Sequence, residues 1–460
     1  MTAPVTLPLW LFILILIFAV AAFATHFLFP SVRWFLRRRM QRAVDRLNRR
    51  LERPIQPFKL LRRYDLIQRL CYDPEVASAI VAHARETGVR EDVAFERARA
   101  YAREIVPSFS AFTYFGWGVG LARRLSNALF RVRLLHHDSA ALQAIDPEAT
   151  VVFVMNHRSN MDYVLVTHLV ADRSALSYAV GEWAHVWPLS RLIRSMGAYF
   201  IRRRARDMLY RRVLRRYVQM STEAGVTQAI FPEGGLSLDG RVSPPKKGLL
   251  SYIVEGGRQG ARDIVFVPVA LNYDRVLEDR VLIGAGQAGT RRFDAGILRV
   301  MRAVLRQAWR KLTGRFRRFG YAAVSFGTPL SLRDAPDLAA DADALATTLM
   351  QRIAAIVPVL PVPLVAWLLM QAERQSREEL ERGTDAAVAR LGDAQVHLPR
   401  GSSAAAVEVG LQALTGRGIA AEQGGQYAIV PEQRALAEYY ANSVAHLMEC
   451  DEDNAATARL

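Results

Sequence analysis

Val151-Val-Phe-Val-Met-Asn-His157-Arg-Ser-Asn-Met-Asp162-Tyr163 is the stretch on which the reading of this chain turns. An apolar run of strand length ends in a histidine, and an aspartate follows five positions later. Asn156, Ser159 and Asn160 are residue types that favour a helix cap, so a buried strand gives way here to a helix. On an uninterrupted helix two residues five apart diverge by roughly 140° around the axis. His157 and Asp162 therefore meet only if His157 lies before or at the cap. Two readings stand side by side. One is a base with an orienting carboxylate, since imidazole takes a proton near neutral pH and a carboxylate fixes its tautomer. The other is a capped helix after a core strand, with both residues merely hydrogen-bonded.

Outward from that stretch, strands and helices alternate. Thr150–Met155, Ala175–Val180, Ala229–Phe231, Ile264–Leu271 and Tyr321–Phe326 read as strands, with helical stretches between them. Arg131-Val-Arg-Leu-Leu reads as another, and His136-His137 after it as a polar loop. This alternation predicts an α/β fold: a mixed, largely parallel sheet flanked by helices. Four regions are expected: 1–53, a transmembrane anchor with a basic juxtamembrane segment; 54–130, helical; 131–330, the α/β domain; and 331–460, mostly helical. In the last region Ile356 to Met370 is apolar but short, and Pro358, Pro361 and Pro363 interrupt it, so it reads as a core or interfacial segment. Ala404–Leu414 and Glu432–Met448 read as helices around a hairpin at Gly424-Gly425.

The 460 residues are 51% hydrophobic, which excludes disorder, and carry a net charge of +17, which calls for a polyanionic partner. Two distant cysteines, Cys71 and Cys450, give neither a disulfide framework nor a metal cluster. Leu9 to Phe29 is apolar without a charged residue, long enough as a helix to cover roughly 30 Å. Arg33, Arg37, Arg38, Arg39 and Arg42 follow it. A single N-terminal span is therefore expected, in the cytoplasmic (inner) membrane, with the rest of the chain on the cytoplasmic side. This favours membrane phospholipid over nucleic acid as the anionic partner. A second basic stretch, Arg299, Arg302, Arg306 and Arg310, makes a stripe compatible with a helix on anionic lipid or with an ordinary amphipathic helix.

Three further blocks bear on chemistry. Gly197-Ala-Tyr-Phe-Ile201 delivers Arg202 and Arg203 from a strand-like segment. Phe231-Pro-Glu233-Gly234-Gly235 runs a strand into a glycine pair, where the backbone can approach a ligand closely. Val265-Phe-Val-Pro268-Val-Ala-Leu-Asn-Tyr-Asp274 is a buried strand whose interior proline predicts an edge or a bulge beside a site.

In this order and spacing the blocks resemble the glycerolipid acyltransferase superfamily, within it the membrane-bound branch of glycerol-3-phosphate and dihydroxyacetone-phosphate acyltransferases. His157 to Asp162 matches the His-x-x-x-x-Asp block, Gly197 to Arg203 the second and Glu233 to Gly235 the third. The Pro268 strand leading to Asn272-Tyr273-Asp274-Arg275-Val-Leu-Glu278 matches the fourth. Ala437 to Leu447 resembles the carboxy-terminal region of the same branch.

The resemblance implies that His157 deprotonates an acceptor hydroxyl, which attacks the carbonyl of an acyl thioester, while Asp162 holds the imidazole. It assigns Arg202 and Arg203 to the acceptor phosphate, and Glu233, Gly234 and Gly235 to acceptor binding. The expected activity is transfer of a fatty acyl group from acyl-CoA or acyl carrier protein to the sn-1 hydroxyl of glycerol 3-phosphate. One-step transfer needs no cofactor and no metal. The block departs from the family where Arg-Ser-Arg normally continues it, because Leu236 and Leu238 stand at the two arginine positions. Losing one charge-assisted bond there costs about 1.5–3 kcal/mol. Either Arg241 or Lys246 supplies the charge from the adjacent loop, or the acceptor is different. 1-Acylglycerol 3-phosphate is the nearest alternative, and a lipid-binding scaffold without turnover is another.

Overall fold

The computed structural model describes residues 8–23, 29–171, 173–181, 189–202, 205, 207–289, 318–392 and 394–449. Arg203, Cys450 and the Arg299–Arg310 stripe lie outside them. The chain divides into two compact units, Met1–Pro54 and Ile55–Leu460.

In the first unit the helix α1 runs from Leu9 to Phe23 and α2 from Phe29 to Asn48. This corrects the expected transmembrane anchor and the single-span localisation built on it. The described apolar helix has 15 residues, about 22 Å at 1.5 Å per residue, against the roughly 30 Å of a hydrocarbon core. The next described helix already carries the arginine cluster. Among the described residues no helix is long and apolar enough to cross a membrane.

The second unit is organised by one eight-stranded sheet. Its strands are β1 (Arg131–His137), β2 (Thr150–Met155), β3 (Ser177–Val180), β4 (Tyr199–Phe200), β5 (Gln228–Ile230), β6 (Ile264–Tyr273), β7 (Tyr321–Phe326) and β8 (Leu330–Ser331). The spatial order is β1-β7-β6-β2-β5-β3-β4, with β8 on β6. The run β6-β2-β5-β3-β4 is parallel throughout, while β7 and β8 meet β6 antiparallel. The sheet is thus mixed and largely parallel. Every residue of β2 and β6 is buried, which explains why these strands read as continuous apolar runs rather than alternating ones. His136 and His137 belong to β1, not to a loop.

Pro268 stands in the interior of a central strand, paired to Val154 of β2, and not at an edge. On its other side β8 covers Val265 and Phe266, and β7 begins at Val269. The missing N–H falls in the gap between these partners, where the Pro268 carbonyl still accepts the Gly327 N–H at 2.8 Å. A proline is tolerated there because no ladder bond is lost.

Helices pack around the sheet: Met161–Val170 against Val119–Leu129, and Met208–Glu223 against Gly248–Gln259 and Pro74–Thr87. In the C-terminal region the helix Pro361–Leu369 is almost wholly buried against Ser403–Thr415 and Arg434–Met448, so Ile356–Met370 is a core segment. Between those two helices β10 (Ala420–Gln423) and β11 (Gln426–Ile429) form the expected hairpin, turning at Gly424 and Gly425 with φ of 60° and 79°. β9 (Gln375–Ser376) adds a third strand to it.

Candidate active site

The five parallel strands point their carboxyl ends to one edge of the sheet, and the singled-out residues emerge there. His157 follows β2, Glu233 follows β5, Arg202 follows β4, and Glu278 follows β6. From β2 the chain crosses toward β3 on one side, and from its neighbour β6 it leads to β7 on the other. The carboxyl end of β2 therefore lies where connections diverge, the place in an open α/β sheet where ligands bind.

The helix carrying Asp162 begins at Met161, so His157 lies ahead of it and the two residues meet. Nδ1 of His157 lies 2.9 Å from Oδ2 of Asp162. Both side chains are buried, at 1% and 0% exposure, so the pair is shielded from water. Oδ2 also accepts the N–H groups of Arg158 and Ser159 at 2.7 and 3.0 Å, and Oδ1 accepts the Tyr273 hydroxyl at 2.6 Å. Four donors thus hold the carboxylate in place and satisfy its buried charge. The imidazole ring lies on Phe231, centroids 4.1 Å apart, and meets Tyr163 edge-on at 5.5 Å. Its rotation is fixed by these rings as well as by Asp162.

Glu233 joins this cluster through the backbone. Its Oε1 accepts the His157 N–H at 2.9 Å and its Oε2 the Ser243 N–H at 3.2 Å. Burial pushes its carboxyl up to about 7, against the lowering effect of those amides and of the Arg158 charge. Gly234 follows at φ 67°, a conformation glycine adopts without strain. A Cβ there would fall 2.8 Å from Cδ and 3.3 Å from Nζ of Lys246, so that lysine lies over the Glu233–Gly234 turn. Arg241 is exposed; its backbone closes a turn with Asp239 and Ser237. Leu236 and Leu238 pack against the hydrophobic core.

Arg202 is not brought to the histidine. Its Nε and Nη2 bind both carboxylate oxygens of Glu104 at 2.8 and 2.6 Å, and it lies over the rings of Tyr101 and Tyr210. The Nη1 edge is what remains for a ligand.

Three residues at the site had no assigned role in the sequence reading. Tyr273 bonds Asp162. Glu278 accepts the Ser159 hydroxyl at 2.8 Å and the Asn160 backbone and amide N–H groups at 3.3 and 3.1 Å. Arg158 is buried, donates to the Gly240 carbonyl, and stacks on Tyr439 at 4.8 Å. Tyr273 and Glu278 sit in the fourth block, but no spacing rule links them to partners more than a hundred residues away. Among the described residues no group of His, Cys, Asp and Glu is placed to hold a metal.

A buried histidine–aspartate pair at the carboxyl edge of a parallel α/β run can serve as a base with its orienting carboxylate. Two family models match the chain: Acyltransferase over residues 135–272 and Glycerol-3-phosphate acyltransferase C-terminal region over residues 304–449. The chain belongs to the glycerolipid acyltransferase superfamily, in its glycerol-3-phosphate acyltransferase branch. A glycerol-3-phosphate acyltransferase of Xanthomonas campestris pv. campestris is 28% identical over 369 residues, covering 75% of this chain and 40% of its own. One of Aeromonas hydrophila subsp. hydrophila is 29% identical over 353 residues, covering 70% and 42%. The chain spans about two-fifths of the length of these curated relatives. A solved 1-acyl-sn-glycerophosphate (LPA) acyltransferase, PlsC from Thermotoga maritima, covers 51% of this chain and 78% of its own, with 17% identity and a TM-score of 0.32, too low to carry a point about the fold.

Proposed function

We propose that the chain is an O-acyltransferase that moves a fatty acyl group from a thioester, acyl-CoA or acyl carrier protein, to the sn-1 hydroxyl of glycerol 3-phosphate, feeding membrane phospholipid. The observation that carries this reading is the buried His157–Asp162 pair with its 2.9 Å contact. With Nδ1–H donated to Asp162, Nε2 is the proton acceptor. Nε2 takes the acceptor's hydroxyl proton as the oxygen attacks the thioester carbonyl. The C–O bond forms, the C–S bond breaks, and the imidazolium returns its proton to the leaving thiolate. Asp162 stabilises the imidazolium between these events, as in other carboxylate-oriented histidine bases. The Glu233-Gly234-Gly235 turn, tied to His157 through its backbone, shapes the acceptor side. Lys246 stands beside that turn and supplies the positive charge that Leu236 and Leu238 do not.

One observation favours a second reading. Leu236 and Leu238 pack on the core, so the wall that would meet a phosphate in the family is apolar here. An acceptor that already carries an acyl chain, 1-acylglycerol 3-phosphate, suits such a wall. A panel of acceptors offered with radiolabelled acyl-CoA separates the two. Label in 1-acylglycerol 3-phosphate supports the leading reading. Label only when 1-acylglycerol 3-phosphate is supplied transfers the assignment to it.

A further inference from the structure

Beside the His157 loop, on the opposite flank of β2 from Arg202, a cavity of about 370 Å³ opens between the turn after β6 and the turn after the helix Ser403–Thr415. Five of its lining side chains are ionisable: Arg275, Glu278, Asp279, Arg280 and Arg417. Both carboxylates are turned to protein partners. Glu278 receives Ser159 and Asn160, the two residues that follow Arg158. Asp279 is engaged by Arg417 and by the Tyr440 hydroxyl, the latter at 2.6 Å. Arg417 also donates to the Tyr440 oxygen at 2.9 Å, so its guanidinium is held rigidly at the rim. Arg280 is exposed, its Nη2 donating to Gln433 Oε1 at 3.4 Å, and Arg275 stacks over Phe319 at 4.6 Å. The lining carries three guanidinium groups against two carboxylates, an excess of one positive charge in a concave site.

We infer that this cavity is a phosphate-binding site for one of the two substrates, reached from the reacting centre through Glu278 and the Ser159–Asn160 turn. The inference rests on the acyl-transfer reading, in which acceptor and donor carrier both bear phosphate. Planar guanidinium groups match phosphate oxygens, and a site that brings two phosphate-bearing molecules to one base needs anion contacts on more than one side. The Arg202 side lies three strand spacings from β2, about 14 Å, and positions 236 and 238 of the loop after Gly235 are leucines that bring no charge. The Arg275–Arg280–Arg417 cavity adjoins the His157 loop directly, through Glu278 and its bonds to Ser159 and Asn160. The ligand is the phosphomonoester of the acceptor or the phosphates of the donor's carrier.

The test uses the full chain with CoA and sn-glycerol 3-phosphate as separate probes in calorimetric titration, beside steady-state kinetics with acyl-CoA. In Arg280→Glu, affinity for one probe should fall at least about tenfold, and KM for the matching substrate should rise likewise, with kcat within about twofold. Arg280→Lys should recover most of the loss. Arg280 is exposed, so the thermal midpoint should hold. Weakened CoA marks the carrier phosphates, and weakened glycerol 3-phosphate marks the acceptor phosphate; either supports the site. Unchanged affinity for both probes, or no binding of either by the parent chain, overturns it. Titration needs no turnover. A chain that binds through Arg280 but transfers no acyl group keeps the site and sinks the activity, and turnover indifferent to Arg280 does the reverse.

Discussion

At the scale of the residue, the site depends on how the Asp162 charge is held. Four donors reach that carboxylate, and Tyr273 supplies the one that comes from another strand. Tyr273→Phe removes only this hydroxyl. It should cost about 1–2 kcal/mol of stability and lower kcat more than it changes either KM, as stopped assays on the variant would show. A different residue sets a pH dependence. Burial raises Glu233 from 4.5 to about 7, and Asp274, bonded to the Val362 and Tyr321 N–H groups, from 3.8 to about 7. Between those limits the folded chain holds more protons than the unfolded one, so stability falls as pH rises toward 7 and then levels off. Each group contributes on the order of 3 kcal/mol to that fall. Calorimetric midpoints should be higher at pH 5 than at pH 8, and Glu233→Gln should flatten part of the slope; equal slopes in both proteins would refute the assignment. The meeting of His157 and Asp162 was legible in the sequence, because cap-forming residues separate them. The inward turn of Glu233 was not, because its partners are main-chain amides, one of them that of His157, 76 residues away.

At the scale of the element, the C-terminal helix Arg434–Met448 clamps the loops that carry the site. Asn442 donates to the Asp239 carbonyl at 2.9 Å, Tyr440 accepts the Val276 N–H at 3.2 Å, and Tyr439 underlies Arg158. The loop comes close enough that a Cβ on Gly240, at φ 92°, would fall 1.9 Å from the Tyr439 carbonyl oxygen. Gly240→Ala should therefore lower stability by on the order of 3 kcal/mol and reduce activity although residue 240 makes no proposed substrate contact. Thermal unfolding and initial rates together check this, and a neutral substitution would mean the clamp is slack. The strands β2, β6 and β7 could be read from their unbroken apolar runs. The two-residue strands β4, β8 and β9 carry too little periodicity to be bounded. Pro268 misled the sequence reading because nothing local reveals that two different strands share the flank of β6.

At the scale of the whole molecule, the second unit contains the sheet, the site and the C-terminal helices within one hydrophobic core. A chain beginning at Ile55 should keep its thermal midpoint, since a compact unit with its own core folds without its neighbour. It should also self-associate less, because Leu9, Trp10 and Phe18 of α1 are 74%, 66% and 74% exposed. Gel filtration with calorimetry decides both. The anchor expected from the apolar run at the N-terminus was not borne out, because among the described residues no helix is long and apolar enough to cross a membrane. Acyl transfer as proposed depends on His157 acting as the base. The measurement that bears on it most directly is the rate of radiolabelled acyl transfer to glycerol 3-phosphate by His157→Ala beside the parent chain, with thermal midpoints recorded on the same samples. A folded variant slowed by about a thousandfold or more is expected if His157 is the base. A folded variant that transfers at the parent rate would contradict it.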